Sequence, residues 1–149
     1  MTIASHRAAV RRPSAGARRF GYLVAIAFTV AGWYVINVRP GWEAVPFLTS
    51  DTADVIGLLN FSLFVGIAVN LLYVVRDPRW LTALGDVVTT GVGLAVLVTV
   101  WQVFPFDFDA YTFGWAGLTR LVLVLAMVGS AIAIVVQLVT LVRLAVASR

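Results

Sequence analysis

The chain has 149 residues, of which 61% are hydrophobic and 12% are charged, and its mean hydropathy is +0.97. Soluble domains have about 45–50% apolar and about 25% charged residues, so this composition excludes an ordinary water-soluble enzyme, a disordered chain and a fibrous repeat. Eleven basic and seven acidic residues give a formal net charge of +4, and a membrane protein with several spans is the class that remains.

Cysteine and histidine counts restrict the chemistry further. The absence of cysteine excludes disulfides, thiolate metal sites and thiol redox chemistry. The one histidine, His6, precedes the first apolar run, so no pair of imidazoles can hold a haem or a metal inside a membrane. We therefore expect neither a cofactor nor a metal site.

Residues 1–19 form a basic leader with five arginines and no acid. We expect this leader to be disordered and mainly to fix the topology, with binding of anionic lipid as a secondary role at about 1 kcal/mol per arginine. The alternative interpretation of the leader is an organellar transit peptide, which is also rich in arginine and poor in acids. The apolar run that follows is longer than a signal-peptide core of about 7–15 residues, and it predicts an uncleaved first helix at about residues 20–38.

The first long loop separates helices 1 and 2. It stops helix 1 with three residues that resist helix continuation, Pro40, Gly41 and Pro46. We predict the second helix at about residues 53–75, with Ser50 or Asp51 as its N-cap. Asp54 then lies in the first turn, where the helix dipole favours a carboxylate.

A turn of five residues, Arg76 to Trp80, joins helices 2 and 3. We expect Asp77 to cap the third helix, at about residues 79–104, with Pro78 at its first position. A row of small residues on this helix allows another helix to approach closely: Gly85, Thr89 and Gly93. Helix 3 is therefore predicted to be central in the packing.

The second long loop contains the sequence FPFDFD at residues 104–109. This period of two predicts an extended segment with one apolar face in the headgroup layer. Tryptophans and tyrosines at the same level are typical of an aromatic belt, and an aromatic groove for a sugar or a lipid is the alternative. We predict the fourth helix at about residues 117–142, followed by a short tail at 143–149.

Four runs without Asp, Glu, Lys, Arg or His have 19, 21, 20 and 22 residues: Phe20–Val38, Val55–Val75, Val87–Phe106 and Leu121–Val142. About 20 helical residues cross the roughly 30 Å hydrocarbon core of a bilayer. A membrane β-barrel would need alternating apolar and polar residues, which these runs lack. The sequence therefore predicts an all-α membrane protein with a four-transmembrane-helix bundle at residues 20–142.

Arginine placement predicts the orientation, because short cytoplasmic loops carry a positive excess. Nine of the eleven arginines lie on the side of the termini and the 76–80 turn: Arg7, Arg11, Arg12, Arg18, Arg19, Arg76, Arg79, Arg143 and Arg149. The opposite side carries Arg39, Arg120 and five of the seven acids: Glu43, Asp51, Asp54, Asp107 and Asp109. We therefore expect a multi-pass protein of the plasma membrane with both termini in the cytoplasm.

Polar side chains inside membrane spans are rare and mark candidate functional sites. One set lies roughly 9–10 Å from the cytoplasmic charges at 1.5 Å per residue, with one member on each of three helices: Asp86, Asn70 and Gln137. Asp86 is the candidate protonatable carboxylate of a proton-coupled carrier. The simpler interpretation is a hydrogen bond to Asn70, Gln137 or a helix 3 neighbour that fixes the packing.

A second set of polar residues lies toward the opposite helix ends: Asn60, Gln102 and Arg120. Three acids at this level are near enough to form an ion pair with Arg120: Asp54, Asp107 and Asp109. The alternative is that Arg120 extends its side chain to the membrane interface. We assign no catalytic role to either set.

Three segments carry a resemblance to known proteins: NVRPGWEAVPFL at 37–48, YVVRDPRWL at 73–81 and WQVFPFDF at 101–108. With these segments the chain resembles small four-helix integral membrane proteins of actinobacteria, over most of its length after the leader. The resemblance implies a topology and a bacterial source. That group has no assigned activity, so the resemblance implies no role for any residue.

The sequence lacks the patterns that enzymes use, such as a phosphate-binding glycine loop, a thiol or a clustered acidic metal site. We therefore expect no enzymatic activity. We also expect no nucleic-acid partner. We predict an accessory or scaffold subunit of a membrane complex, in contact with the lipid bilayer and with a larger membrane protein or a second copy. The alternative is a small oligomeric proton-coupled carrier or channel that uses Asp86.

Overall fold

A computed structural model describes residues 11–149, and this part of the chain forms four long α-helices. Their bounds are Ala15–Asn37 (α1), Thr52–Val75 (α2), Arg79–Val103 (α3) and Trp115–Ala147 (α4). Each helix is long and apolar enough to cross a membrane. The predicted all-helical fold with four span-length helices is confirmed for these residues.

Two helices, α1 and α4, extend by several residues beyond their predicted bounds. α1 begins at Ala15, inside the expected leader, because the Ser14 hydroxyl oxygen accepts a hydrogen bond from the Ala17 N–H at 3.2 Å and caps the helix. α4 continues to Ala147, so most of the expected tail is helical. Arginine is a good helix former, and Arg143 does not interrupt the helix. Residues 1–10, with His6 and Arg7, lie outside the described residues.

The helices are arranged as an antiparallel row in chain order. Within residues 11–149, extensive contacts join α1 to α2, α2 to α3 and α3 to α4, whereas pairs of non-consecutive helices make at most marginal contact. The central position predicted for α3 is therefore shared with α2. We call the end of the row with residues 76–78 the turn end, and the end with residues 38–51 and 104–114 the loop end.

The row buries few side chains. In the described part of the chain its most buried apolar side chains are Val55, Tyr73, Ala83, Val96 and Leu123, and no large side chain is fully enclosed. Most large apolar side chains are exposed, including 76% of Phe28 and 77% of Val75. Contiguous apolar surface of this extent is rare on soluble monomers and is ordinary where lipid or a partner covers it.

The two long loops pair with each other through their backbones. Leu48 and Phe106 form an antiparallel bridge. On either side of the bridge, the Thr49 N–H donates to the Pro105 carbonyl at 3.0 Å and the Asp107 N–H donates to the Phe47 carbonyl at 2.9 Å. Segments that are far apart in the sequence are thereby fixed together at the loop end.

The caps of α2 and α3 differ from the prediction. Asp51 occupies the N-cap position of α2, but its side chain makes no capping hydrogen bond, and Asp54 lies in the first turn as expected. α3 begins at Arg79, as the predicted range of 79–104 has it, but Pro78 occupies the N-cap position and is not the first helical residue. Asp77 does not cap α3, because its carboxylate is already bound by a side chain of α1.

Candidate functional site

Asp77, in the turn between α2 and α3, collects several polar contacts at the turn end. The Arg18 guanidinium binds its carboxylate as a fork, with Nε–Oδ2 at 2.5 Å and Nη2–Oδ1 at 3.2 Å. The Tyr22 hydroxyl donates to Oδ2 at 3.2 Å, and Arg12 Nη2 donates to the Asp77 carbonyl at 2.8 Å. A fork of this kind is among the stronger protein hydrogen-bonding arrangements. It fixes the start of α1 against the turn.

These contacts also set the charge of Asp77. The hydrogen bonds from Arg18 lower the pKa of Asp77 from its ordinary value of 3.8 to about 2, with further help from Tyr22 and from the charge of Arg12. Partial removal from water acts in the opposite direction and is outweighed. Asp77 is therefore ionised at physiological pH, and its role is to hold chain segments together.

Asp86 lies seven residues after the start of α3 and its side chain is exposed. The Tyr73 hydroxyl is 2.9 Å from the Thr82 carbonyl and 3.2 Å from Asp86 Oδ1, so one proton is directed at two acceptors. Tyr73 reaches this position because Gly85 has no side chain. A Cβ at Gly85 would overlap the Tyr73 hydroxyl and would lie 2.8 Å from Val69 Cγ1.

Asn70 and Gln137, which the sequence places at the same depth as Asp86, do not contact it. Asn70 Nδ2 donates to the Gly66 carbonyl of its own helix at 2.8 Å. Gln137 Oε1 is buried and has no hydrogen-bond partner. The expected partner of Asp86, either Asn70, Gln137 or a neighbour on helix 3, is replaced by Tyr73 of α2, whose part in this contact no sequence pattern indicates. Within residues 11–149, these three polar residues therefore do not form one connected site.

Asn60 forms a reciprocal amide pair with Asn37 at the loop end. Each Nδ2 donates to the other Oδ1, at 2.8 Å and 2.7 Å, and Asn37 also donates to the Trp33 carbonyl at 2.9 Å. This pair joins α1 to α2. The side chain of Gln102 is exposed and makes no hydrogen bond within the described residues.

Arg120 lies over two aromatic rings at the loop end. Its guanidinium carbon is 4.0 Å from the centroid of Phe104 and 4.9 Å from that of Trp101. Within residues 11–149 both salt bridges involve Asp77, so Arg120 does not form the expected ion pair with a loop acid. A cation over an aromatic face contributes about 0.5–1 kcal/mol at exposed sites and more where water is excluded. The cation is therefore stabilised by aromatic rings.

An aromatic cluster covers the loop end beside Arg120. The rings of Phe106 and Phe108 stack at 5.7 Å with an interplanar angle of 8°, and Phe47 stacks on Phe108 at 5.7 Å. Asp107, between the two stacked phenylalanines, is exposed, as the period of two predicts. The cluster borders an apolar cleft of about 350 Å³ that extends to Trp115. The lining of this cleft is apolar and could contact a hydrocarbon group.

Among residues 11–149, no cluster of three or more His, Asp or Glu side chains could hold a metal ion. Comparison with known proteins finds no matching family, no similar curated protein and no similar solved structure. The function is therefore inferred from the geometry of the row and of its polar side chains.

Proposed function

We propose that the protein is a multi-pass subunit of the plasma membrane, with both termini in the cytoplasm, that serves as an accessory or scaffold subunit of a larger membrane complex. The four span-length helices support the membrane location. The arginine excess at the turn end supports the orientation. The resemblance to actinobacterial membrane proteins fits the same proposal.

The exposed carboxylate of Asp86 is the observation that carries the scaffold role. Seven residues of helix place Asp86 roughly 10 Å from the start of α3, at 1.5 Å per residue. A charged side chain inside a bilayer costs about 2.5–3.5 kcal/mol, and such residues normally face a partner. Tyr73 offers one proton to one oxygen of Asp86, and this proton is shared with the Thr82 carbonyl. A helix of another protein could bring a cation or a hydrogen-bond donor to Asp86. This contact would offset the remaining free-energy cost of the carboxylate inside the bilayer.

The surface of α3 around Asp86 has room for such a helix. Asp86, Thr90 and Gly93 follow at helical spacing and share a face. A Cβ at Gly93 would meet no atom within 4 Å, so this part of the face is not packed against the described residues. Small residues at an open position allow close approach of a neighbouring helix. We therefore place the docking face of the proposed subunit on α3.

The test is purification of the tagged full chain from its native membrane in mild detergent. We expect a larger membrane protein in stoichiometric amount, and we expect Gly93→Leu to lower its recovery by about tenfold or more, equivalent to about 1.4 kcal/mol. Gly91→Leu is the matched control, because Gly91 also borders open space but lies on the other side of α3. A pure homo-oligomer, or equal recovery with both variants, would contradict the scaffold role.

A proton-coupled carrier or channel is the second candidate, and the hydrogen bond from Tyr73 to an exposed intramembrane carboxylate favours it. Here Asp86 would take up and release the proton. In sealed vesicles with a pH-sensitive dye inside, this function predicts proton flux that Asp86→Asn abolishes while the protein remains abundant. Unchanged flux, or a loss of protein without a loss of flux per molecule, would instead assign Asp86 to packing.

A further inference from the structure

A groove at the turn end runs between the start of α3 and the end of α4. It is an open groove with a volume of about 600 Å³. Arg79 and Trp80 line one side, and α4 supplies an apolar wall from Leu141, Val142, Leu144 and Ala145. The groove therefore combines one cation with a hydrocarbon surface.

Arg79 is the charged group that this groove offers to a ligand. Its side chain is exposed, and within residues 11–149 it forms no salt bridge. The nearest acid in the sequence, Asp77, is held by the guanidinium of Arg18. Ser148 also lines the groove, but its hydroxyl donates to the Ala145 carbonyl at 2.9 Å. The donors that remain for a ligand belong to Arg79.

We propose that this groove binds one anionic phospholipid, with the phosphate on Arg79 and an acyl chain along the apolar wall of α4. Arginine is suited to phosphate because its fork of N–H groups can donate two parallel hydrogen bonds. Trp80, which is 55% exposed, is typical of a side chain at the lipid headgroup level. The site rests on the proposed membrane location and is independent of the scaffold role.

Charge favours an anionic lipid over a zwitterionic one. The arginines at the turn end outnumber the acids there, and Asp77 is already paired. Basic pockets between helices on the cytoplasmic side are a known way of binding lipid headgroups. A free phosphate would satisfy Arg79 but would leave the wall of Leu141, Leu144 and Ala145 uncovered, so the acyl chain is part of the ligand.

The test uses the full chain in a neutral detergent and measures binding of dioleoylphosphatidylglycerol by native mass spectrometry. We expect binding to exceed that of dioleoylphosphatidylcholine and of glycerol 3-phosphate. Arg79→Gln should weaken it about fivefold, because this variant loses the charge-assisted hydrogen bonds that the Arg79 guanidinium donates to the phosphate. Arg76→Gln removes the same charge at the same end of the row. Because Arg76 lies outside the groove and would donate no hydrogen bond to the phosphate, this variant should weaken binding less than about twofold.

A second variant tests the wall without changing the charge. Ala145→Trp fills the groove, and we expect it to weaken lipid binding at least as much as Arg79→Gln, by about fivefold. Circular dichroism and size-exclusion chromatography report whether each variant is folded. Equal effects of Arg76→Gln and Arg79→Gln would overturn the proposal, as would binding of glycerol 3-phosphate as tight as that of the lipid, or unchanged lipid binding by a folded Ala145→Trp.

Discussion

Asp77 connects three parts of the chain at the scale of one residue. Its carboxylate accepts hydrogen bonds from Arg18 and Tyr22, and its carbonyl accepts one from Arg12. The segment before α1, α1 itself and the α2–α3 turn are thus held at one point. An arginine–carboxylate pair of this geometry is more specific than an ordinary surface ion pair.

The pKa of Asp77 predicts how this contact depends on pH. Because the pKa in the folded protein is about 2, below the ordinary 3.8, the stabilisation is complete above the ordinary value and is lost as the pH falls through the folded value. The melting temperature of the wild type in detergent should therefore exceed that of Asp77→Asn by a constant amount above about pH 5, and the difference should disappear toward about pH 2.

Glu43→Gln is the control for this titration, since Glu43 forms no salt bridge within residues 11–149. Its melting temperature should follow that of the wild type over the whole range. A wild-type advantage over Asp77→Asn that shrinks between about pH 8 and about pH 5 would contradict the pairing of Asp77 with Arg18.

Gly85 gives a second prediction at the residue scale. Replacing glycine by alanine inside a helix normally stabilises it by roughly 0.5–1 kcal/mol. At Gly85 the new methyl group would meet Tyr73 and Val69, so we expect Gly85→Ala to destabilise the protein by about 1–3 kcal/mol. Gly93→Ala, at an open position of the same helix, should be neutral or stabilising. Unfolding in mixed detergent micelles measures both, and equal effects would contradict the close packing of Tyr73.

At the scale of helices, the amide pair of Asn37 and Asn60 fixes how α1 lies against α2. Asn37 is the last residue of α1 and Asn60 is the ninth of α2, so α2 extends roughly 12 Å beyond α1 at 1.5 Å per residue. The first long loop crosses this space. A cavity of about 260 Å³ remains beneath it, lined in part by Trp42 and Leu48.

A double-mutant cycle tests this pair. Asn60→Leu leaves the Asn37 amide without its partner and should destabilise the protein by about 1–2 kcal/mol. The double variant Asn37→Leu/Asn60→Leu should lose less than the sum of the two single variants, with a coupling of about 1 kcal/mol. Unfolding of each variant by dodecyl sulfate in mixed micelles measures the free energies of unfolding. Additive effects would mean that the two amides do not depend on each other.

The helices were predictable from the sequence because a span is long, apolar and nearly free of charge, and the loops interrupt these runs with charges and proline. The positions of the helices along one another could not be predicted, because the first loop determines the offset between α1 and α2. The Asn37–Asn60 pair was missed for this reason. Asp77 was assigned to a cap because an aspartate before proline has that local role, whereas its contact with Arg18 depends on how α1 packs.

For the whole molecule, the row leaves α1 and α4 as outer helices. In the described residues these two helices make at most marginal contact, so each has a broad face available to lipid or to a partner. The bundle predicted from four spans did not specify which helices are neighbours. That choice depends on side-chain fit between helices, which a hydropathy pattern does not contain.

Cross-linking tests the order of the row, and the absence of native cysteine makes the background clean. Trp33→Cys/Phe64→Cys places thiols on α1 and α2, where the native rings are 6.1 Å apart, and a short bismaleimide should link them within one chain. Phe28→Cys/Ile132→Cys places exposed thiols on α1 and α4 and should give no link within one chain. Efficient linkage within one chain in the second pair would indicate a closed bundle.

The chain-order arrangement of the row also bears on how the molecule is made. Each helix packs on the one synthesised just before it, so every new hairpin has its neighbour in place as it leaves the ribosome. Local contacts of this kind favour rapid folding. The bridge between Leu48 and Phe106 cannot form until α3 is complete, and we expect it to be among the last steps of biogenesis.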